Sequence, residues 1–182
     1  SHVEKAADIT IGVVQVPVAK AREFGVLSVT EENRVSQFDE KPADPNPMPG
    51  NPDFALASMG IYVFKRTALE AELIEDAKNN TSHDFGKDII PQMLKKKRRV
   101  FAYNFKDENK KEALFWRDIG TIEAYYEANM DLIQVTPIFN LYDKDWPIRT
   151  YQEQYPPVKT VFAGDDDPER TGLVLDSLIS GG

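Results

Sequence analysis

The 182-residue sequence contains no cysteine, so it can build neither a disulfide framework nor a thiolate metal site. A reducing cytoplasm suits such a chain and is the expected location. Histidine is scarce too, at His2 and His83 only. Two imidazoles, one of them beside the terminus, do not assemble a convincing catalytic triad, and His83 has no second His or Cys nearby with which to share a metal. No Gly-x-Ser-x-Gly elbow, Walker loop or His-Glu-x-x-His is present. Hydrolase readings are therefore weak. No stretch approaches the roughly 20 consecutive apolar residues that span a bilayer, and Ser1-His2-Val3-Glu4-Lys5 lacks the basic-then-apolar order of a signal peptide. No membrane partner is expected. Cations are outnumbered, 22 Lys and Arg against 30 Asp and Glu, for a net charge of −8. That is the reverse of a nucleic-acid footprint. The single basic run, Lys95 to Arg99, reads as a solvated helix end whose cations complement the C-terminal dipole.

What is present is a 41% hydrophobic chain, enough for a real core. Residues 8–16 form a β-branched run apolar on both faces, as in a buried strand ended by Pro17. One or two helical turns fit Val18 to Glu23, and a hairpin fits Val26–Val29 with Val35–Phe38. Five prolines between Pro42 and Pro52 exclude helix and central strand there. Phe54–Phe64 returns to strand. Thr67-Ala68-Leu69-Glu70 predicts a capping box that opens a helix to about Lys78, with Leu69, Leu73 and Ile74 inward. A second helix is predicted from about Gly86 to Lys97 with Ile89, Ile90, Met93 and Leu94 on one face, then a strand at Val100–Phe105 and a charged loop at Lys106–Glu112. A third helix, capped by Thr121, runs to about Gln134 with Ile122, Tyr125, Tyr126, Leu132 and Ile133 at helical spacing. Strands interleaved with helices predict an α/β fold with a mixed sheet over residues 1–135. Residues 136–182 read as a linker rich in proline, tyrosine and charge, closing on a short strand-like stretch from Gly172.

Three segments carry candidate chemistry. In Phe38-Asp39-Glu40-Lys41-Pro42 a strand ends at a lysine, where α/β sheets meet anionic ligands; an exposed Glu–Lys pair before a loop is the alternative. In Trp116-Arg117-Asp118-Ile119-Gly120-Thr121 a carboxylate stands just before a helix start. It suits Mg²⁺, which takes one or two carboxylates with phosphates and water, or else simply supports the turn. In His83-Asp84-Phe85-Gly86 the aspartate reads chiefly as a helix cap.

Taken in order, these segments resemble bacterial glucose-1-phosphate adenylyltransferases (ADP-glucose pyrophosphorylases). The matching pieces are Glu23-Phe24-Gly25-Val26, Phe38-x-Glu40-Lys41-Pro42, Leu56-Ala57-Ser58-Met59-Gly60-Ile61-Tyr62-Val63-Phe64, Ser82 to Asp88, Trp116 to Tyr126, Trp146 to Tyr151, Pro156-Pro157 and Ser177 to Gly182. Glu-Lys-Pro and Arg-Asp-Ile-Gly-Thr are shared by sugar nucleotidyltransferases generally. The Ser58–Phe64, Asp145–Tyr151 and Ser177–Gly182 pieces look specific to the ADP-glucose branch.

The resemblance implies a partial Rossmann-like, glycosyltransferase-A-like nucleotidyltransferase sheet, followed by a linker toward a left-handed β-helix. It implies that Lys41 contacts the phosphate of glucose 1-phosphate and that Glu40 takes sugar hydroxyls. Gly25 and Ser58 would line the same pocket, Asp84 would order it near the sugar, and Asp118 would hold Mg²⁺. The implied reaction joins ATP and glucose 1-phosphate into ADP-glucose and pyrophosphate, in glycogen synthesis, by a homotetramer under allosteric control. The family's glycine-rich nucleotide loop and a further metal-binding aspartate are expected upstream of Ser1, so the chain is expected to be a fragment, inactive alone. A UDP- or dTDP-sugar pyrophosphorylase and a non-catalytic regulatory subunit of the same fold are the competing readings.

Overall fold

The computed structural model describes residues 1–105, 115–144, 147, 149, 154–158, 160 and 172–179. The expected charged loop at 106–112 lies outside them, as do parts of the Trp146–Tyr151 and Ser177–Gly182 motifs. Two compact units divide at residue 116/117.

The first unit is built on a five-stranded mixed sheet, so the α/β expectation holds. Its strands are β1 (Ile9–Pro17), β2 (Gly25–Val29), β3 (Val35–Glu40), β4 (Phe54–Phe64) and β5 (Val100–Asn104), in spatial order β3-β2-β4-β1-β5. β1 pairs antiparallel with β4 and parallel with β5. Flanked on both sides, it buries Ile9, Ile11 and Val13 completely, which explains its unbroken apolar run. Each such side chain contributes about 1.5–3 kcal/mol of burial. β2 and β3 form the expected hairpin, and a 3-10 turn at Val18–Glu23 follows Pro17. The proline-rich segment from Pro42 to Pro52 forms no strand or helix of its own beyond a bridge between Met48 and Asn51.

One face of the sheet is covered by a π-helical turn (Phe85–Ile89) running directly into helix α2 (Ile90–Lys95). Ile89, Ile90 and Met93 pack there against Ile9, Ile11, Val13, Leu27, Phe38 and Leu56. Helix α1 (Arg66–Asp76) departs from expectation. Its cap is Lys65, with no side-chain hydrogen bond, so Thr67 forms no capping box. Leu73 and Ile74 are exposed, whereas Ala68, Glu72 and Asp76 are buried at spacings of four. The helix turns a polar stripe inward because that stripe finds partners. Lys96 and Arg98 bond the Glu72 carboxylate at 2.5 and 2.9 Å. The basic run is thus more than a solvated helix end.

In the second unit, Thr121 caps α3 (Ile122–Leu132) as expected, accepting from the Ala124 N–H at 3.1 Å. Arg117 pairs with Asp131 at 2.9 Å. No α3 residue is buried, and Ile122, Tyr125 and Tyr126 are exposed. Residues 172–179 form no strand.

Candidate functional site

The site grows from strand register. Glu40 closes β3 opposite Gly25, on the face that carries Leu27 and Phe38 inward. Val26 pairs with Ala57, so the next position along sets Ser58 beside Gly25. A bulge between Val13 and Ile11 then inserts extra β4 residues, Met59 to Ile61, with Gly60 at φ +69°. It returns Tyr62 to the same face as Ser58, opposite Ile11.

Over this face comes the start of the π-helical turn. Asp84, extended at φ −97°, caps it by accepting from the N–H groups of Gly86 and Lys87, both at 2.8 Å. Two glycines then admit the Glu40 carboxylate. A methyl group on Gly86 would lie 2.7 Å from Glu40 Oε2, and one on Gly25 would lie 3.0 Å from that atom and 2.6 Å from the Phe38 ring. At Gly25 the Phe38 ring leaves no room for a side chain, whereas at Gly86 a methyl group would displace only the far end of the Glu40 side chain. The structure therefore brings together Gly25, Glu40, Ser58 and Asp84.

Tyr62 belongs to the same group, although the motif reading gave it no role. Burial pushes its phenol above the ordinary pKa. A hydrogen bond with Ser58 pulls it back, and the negative charges of Glu40 and Asp84 push it up again. The phenol stays protonated and can donate. Its ring stacks at 5.7 Å on Phe85, which fixes the turn beside it. The available signal was the Ser58–Tyr62 pair within one apolar strand, but the bulge breaks strict alternation.

Lys41 follows Glu40 in the left-handed region, φ +49°, with its N–H on the Phe24 carbonyl at 3.1 Å. A non-glycine residue held there costs about 1–2 kcal/mol. Its side chain is exposed and forms no ion pair with Glu40 or with any other carboxylate among the described residues. An open cleft of about 620 Å³ runs beside Glu40, Gly86 and Lys87.

Asp118 lies in the second unit. It is exposed, and its Oδ1 accepts the Gly120 N–H at 3.2 Å, its one hydrogen bond among the described residues. No group of three or more metal-ligating side chains occurs among the described residues. A lone, hard, accessible carboxylate of this kind fits Mg²⁺, which relies on phosphates and water for its remaining ligands. Among the described residues no helix is long and apolar enough to cross a membrane.

Known proteins resemble this chain along its whole length. It is 52% identical over 181 residues to glucose-1-phosphate adenylyltransferase 2 of Alkalilimnicola ehrlichii, covering 100% of this chain and 42% of that protein. It is 52% identical over 182 residues to the glucose-1-phosphate adenylyltransferase of Methylococcus capsulatus, with the same shares of 100% and 42%. The enzyme of that name from Methylobacillus flagellatus is 53% identical over 186 residues, matching 100% of this chain and 43% of its own length. The chain thus spans well under half the length of these curated relatives. The sequence profile described as Nucleotidyl transferase matches residues 1–135, a range that takes in the entire sheet, the glycine-flanked carboxylate and Asp118. On that match, the chain belongs to the nucleotidyl transferase family.

Proposed function

We propose that this chain supplies the sugar-phosphate half of a glucose-1-phosphate adenylyltransferase, which makes ADP-glucose and pyrophosphate from ATP and glucose 1-phosphate for storage-glucan synthesis. One observation carries the reading: a carboxylate seated between two glycines, flanked by two hydroxyls and followed at once by an ammonium that has no carboxylate partner among the described residues. Carboxylates accept hydrogen bonds from sugar hydroxyls, and an ammonium neutralises a sugar-borne phosphate. The same cluster would be poorly suited to an apolar ligand.

In the proposed reaction a phosphate oxygen of glucose 1-phosphate attacks the α-phosphorus of ATP. The bond from that phosphorus to the bridging oxygen breaks, and pyrophosphate leaves with the electron pair. No protein nucleophile is needed, so the contribution of these residues is alignment and charge. Glu40 and Asp84 orient the sugar, Ser58 and Tyr62 offer hydroxyl contacts, and Lys41 holds the phosphate. Asp118 would hold a Mg²⁺ ion, which when bound neutralises charge on the phosphates. The branch-specific motifs favour ATP over UTP or dTTP. The retained Lys41 and Asp118 favour an enzyme over a non-catalytic subunit. Homotetrameric assembly, allosteric control and a cytoplasmic setting belong to the same proposal.

The test is pyrophosphate release by a full-length enzyme bearing this segment, with glucose 1-phosphate and each nucleotide in turn. The expected result is a preference for ATP. Equal or greater rates with UTP or dTTP would move the protein to a sister activity.

A further inference from the structure

A second acidic residue, remote from the proposed ligand, is bound up with the geometry of the site. Asp76, at the end of α1, is 2% exposed. Unlike Glu72 one turn earlier, it has no Lys or Arg partner among the described residues. Its two oxygens are instead taken by the loop that follows the helix. Thr81 Oγ1 donates to Oδ1 at 2.8 Å, and His83 Nδ1 lies 2.6 Å from Oδ2. Thr81 Oγ1 also accepts the His83 N–H at 3.3 Å.

These bonds close around a residue with unusual backbone geometry. His83 adopts φ +57°, a left-handed conformation that a side chain disfavours. The turn it makes delivers Asp84 in extended form, ready to cap Gly86 and Lys87. Gly86 in turn abuts Glu40. On the far side of the loop, Asp88 bonds the Ser82 hydroxyl and the Asp84 N–H. The loop is thus braced twice, once from its own helix and once from α1.

We propose that Asp76 is a positioning residue: through Thr81 and His83 it holds the His83 turn in place, and so fixes Asp84 and Gly86 against Glu40. A buried carboxylate at that point has no other evident use, since among the described residues it touches neither the sheet site nor a lysine or arginine. The geometric claim stands alone, while its consequence for sugar binding rests on the glucose 1-phosphate reading above.

Amide hydrogen exchange and glucose 1-phosphate titration, both followed by NMR on this chain, test the two claims separately. Asp76→Ala should accelerate exchange at the Gly86 and Lys87 N–H groups by about tenfold or more, with β1 and β4 amides unchanged. Asp76→Asn, which keeps one acceptor oxygen, should fall between. His83→Ala removes a largely exposed side chain and should reproduce part of the effect even where Asp76→Ala folds poorly. Glucose 1-phosphate affinity should drop by about tenfold in Asp76→Ala. Exchange at Gly86 and Lys87 that stays at the wild-type rate in these variants, or rises only in step with the sheet amides, would overturn the positioning role. If neither wild type nor Lys41→Ala binds glucose 1-phosphate, the sugar reading fails while the exchange rates still decide the role of Asp76.

Discussion

The two units of this chain solve the problem of polar residues differently. Residues 1–116 hold every buried side chain among the described residues, and they bury charge with it: Glu72 at 1% and Asp76 at 2% exposure. In residues 117–182 helix α3 has no buried residue, and Ile122, Tyr125 and Tyr126 on it are exposed. Buried charge in the first unit is tolerated because each carboxylate meets specific donors. The second unit relies on local devices, a Thr121 cap and an Arg117–Asp131 pair. Core and cradle therefore come from the same contacts in the first unit, whereas Asp118 sits on a locally supported turn.

Core substitutions should separate the units most sharply. Ile90→Ala, at a position with 0% exposure, should destabilise by about 2–5 kcal/mol in urea unfolding. Ile122→Ala, at 84% exposure, should change stability by no more than about 0.5 kcal/mol. A comparable loss at both positions would erase the contrast. Between these extremes, Glu72→Gln should cost about 2 kcal/mol, less than a fully buried pair would, because Lys96 and Arg98 keep partial access to water.

A smaller effect separates site from core. Gly86→Ala pushes against the far end of a flexible Glu40 side chain, so the fold should lose less than about 1 kcal/mol while glucose 1-phosphate affinity falls roughly tenfold. A stability loss with unchanged affinity would show that the Glu40 carboxylate is structural. Thr121→Ala should cost α3 about 1 kcal/mol, visible as lost helicity.

The smallest effect is on pH dependence, around the ion cluster between α1 and α2. Burial works against the charge on Lys96, but hydrogen bonds to Glu72 and Glu75 outweigh it and raise its pKa above 10.5. The Lys96 hydrogen bond lowers the pKa of Glu75 below 4.5. A raised lysine stabilises fully below its unfolded value and loses that contribution as pH rises through its folded value. A depressed carboxylate stabilises above its unfolded value and loses that contribution as pH falls through its folded one. The cluster should therefore hold from about pH 5 to 10. Urea midpoints of Lys96→Met against wild type should converge at both pH extremes.

Much of the fold was legible because periodicity is local. The β-branched run of β1, the β2–β3 hairpin, the Phe54–Phe64 strand and the Ile89–Met93 face all emerge where the pattern places them. Helix α1 was misread because Glu72 and Asp76 owe their burial to partners off the helix, Arg98 lying 26 residues from Glu72. No helical period encodes that. The site was legible as motifs, since Glu40, Ser58 and Asp84 stand in recognisable strings. Its geometry was not. Gly86 approaches Glu40 across 46 residues of chain, and Tyr62 joins the cluster only through an irregular bulge.

Lys41, without a carboxylate partner among the described residues, is kept in the proposed function for the phosphate of glucose 1-phosphate. Steady-state kinetics of Lys41→Ala in a full-length enzyme bearing this segment address it most directly. The KM for glucose 1-phosphate should rise by about tenfold to a hundredfold, with KM for ATP and kcat changed only a few-fold. An unaltered KM for glucose 1-phosphate, or a loss confined to kcat, would contradict it.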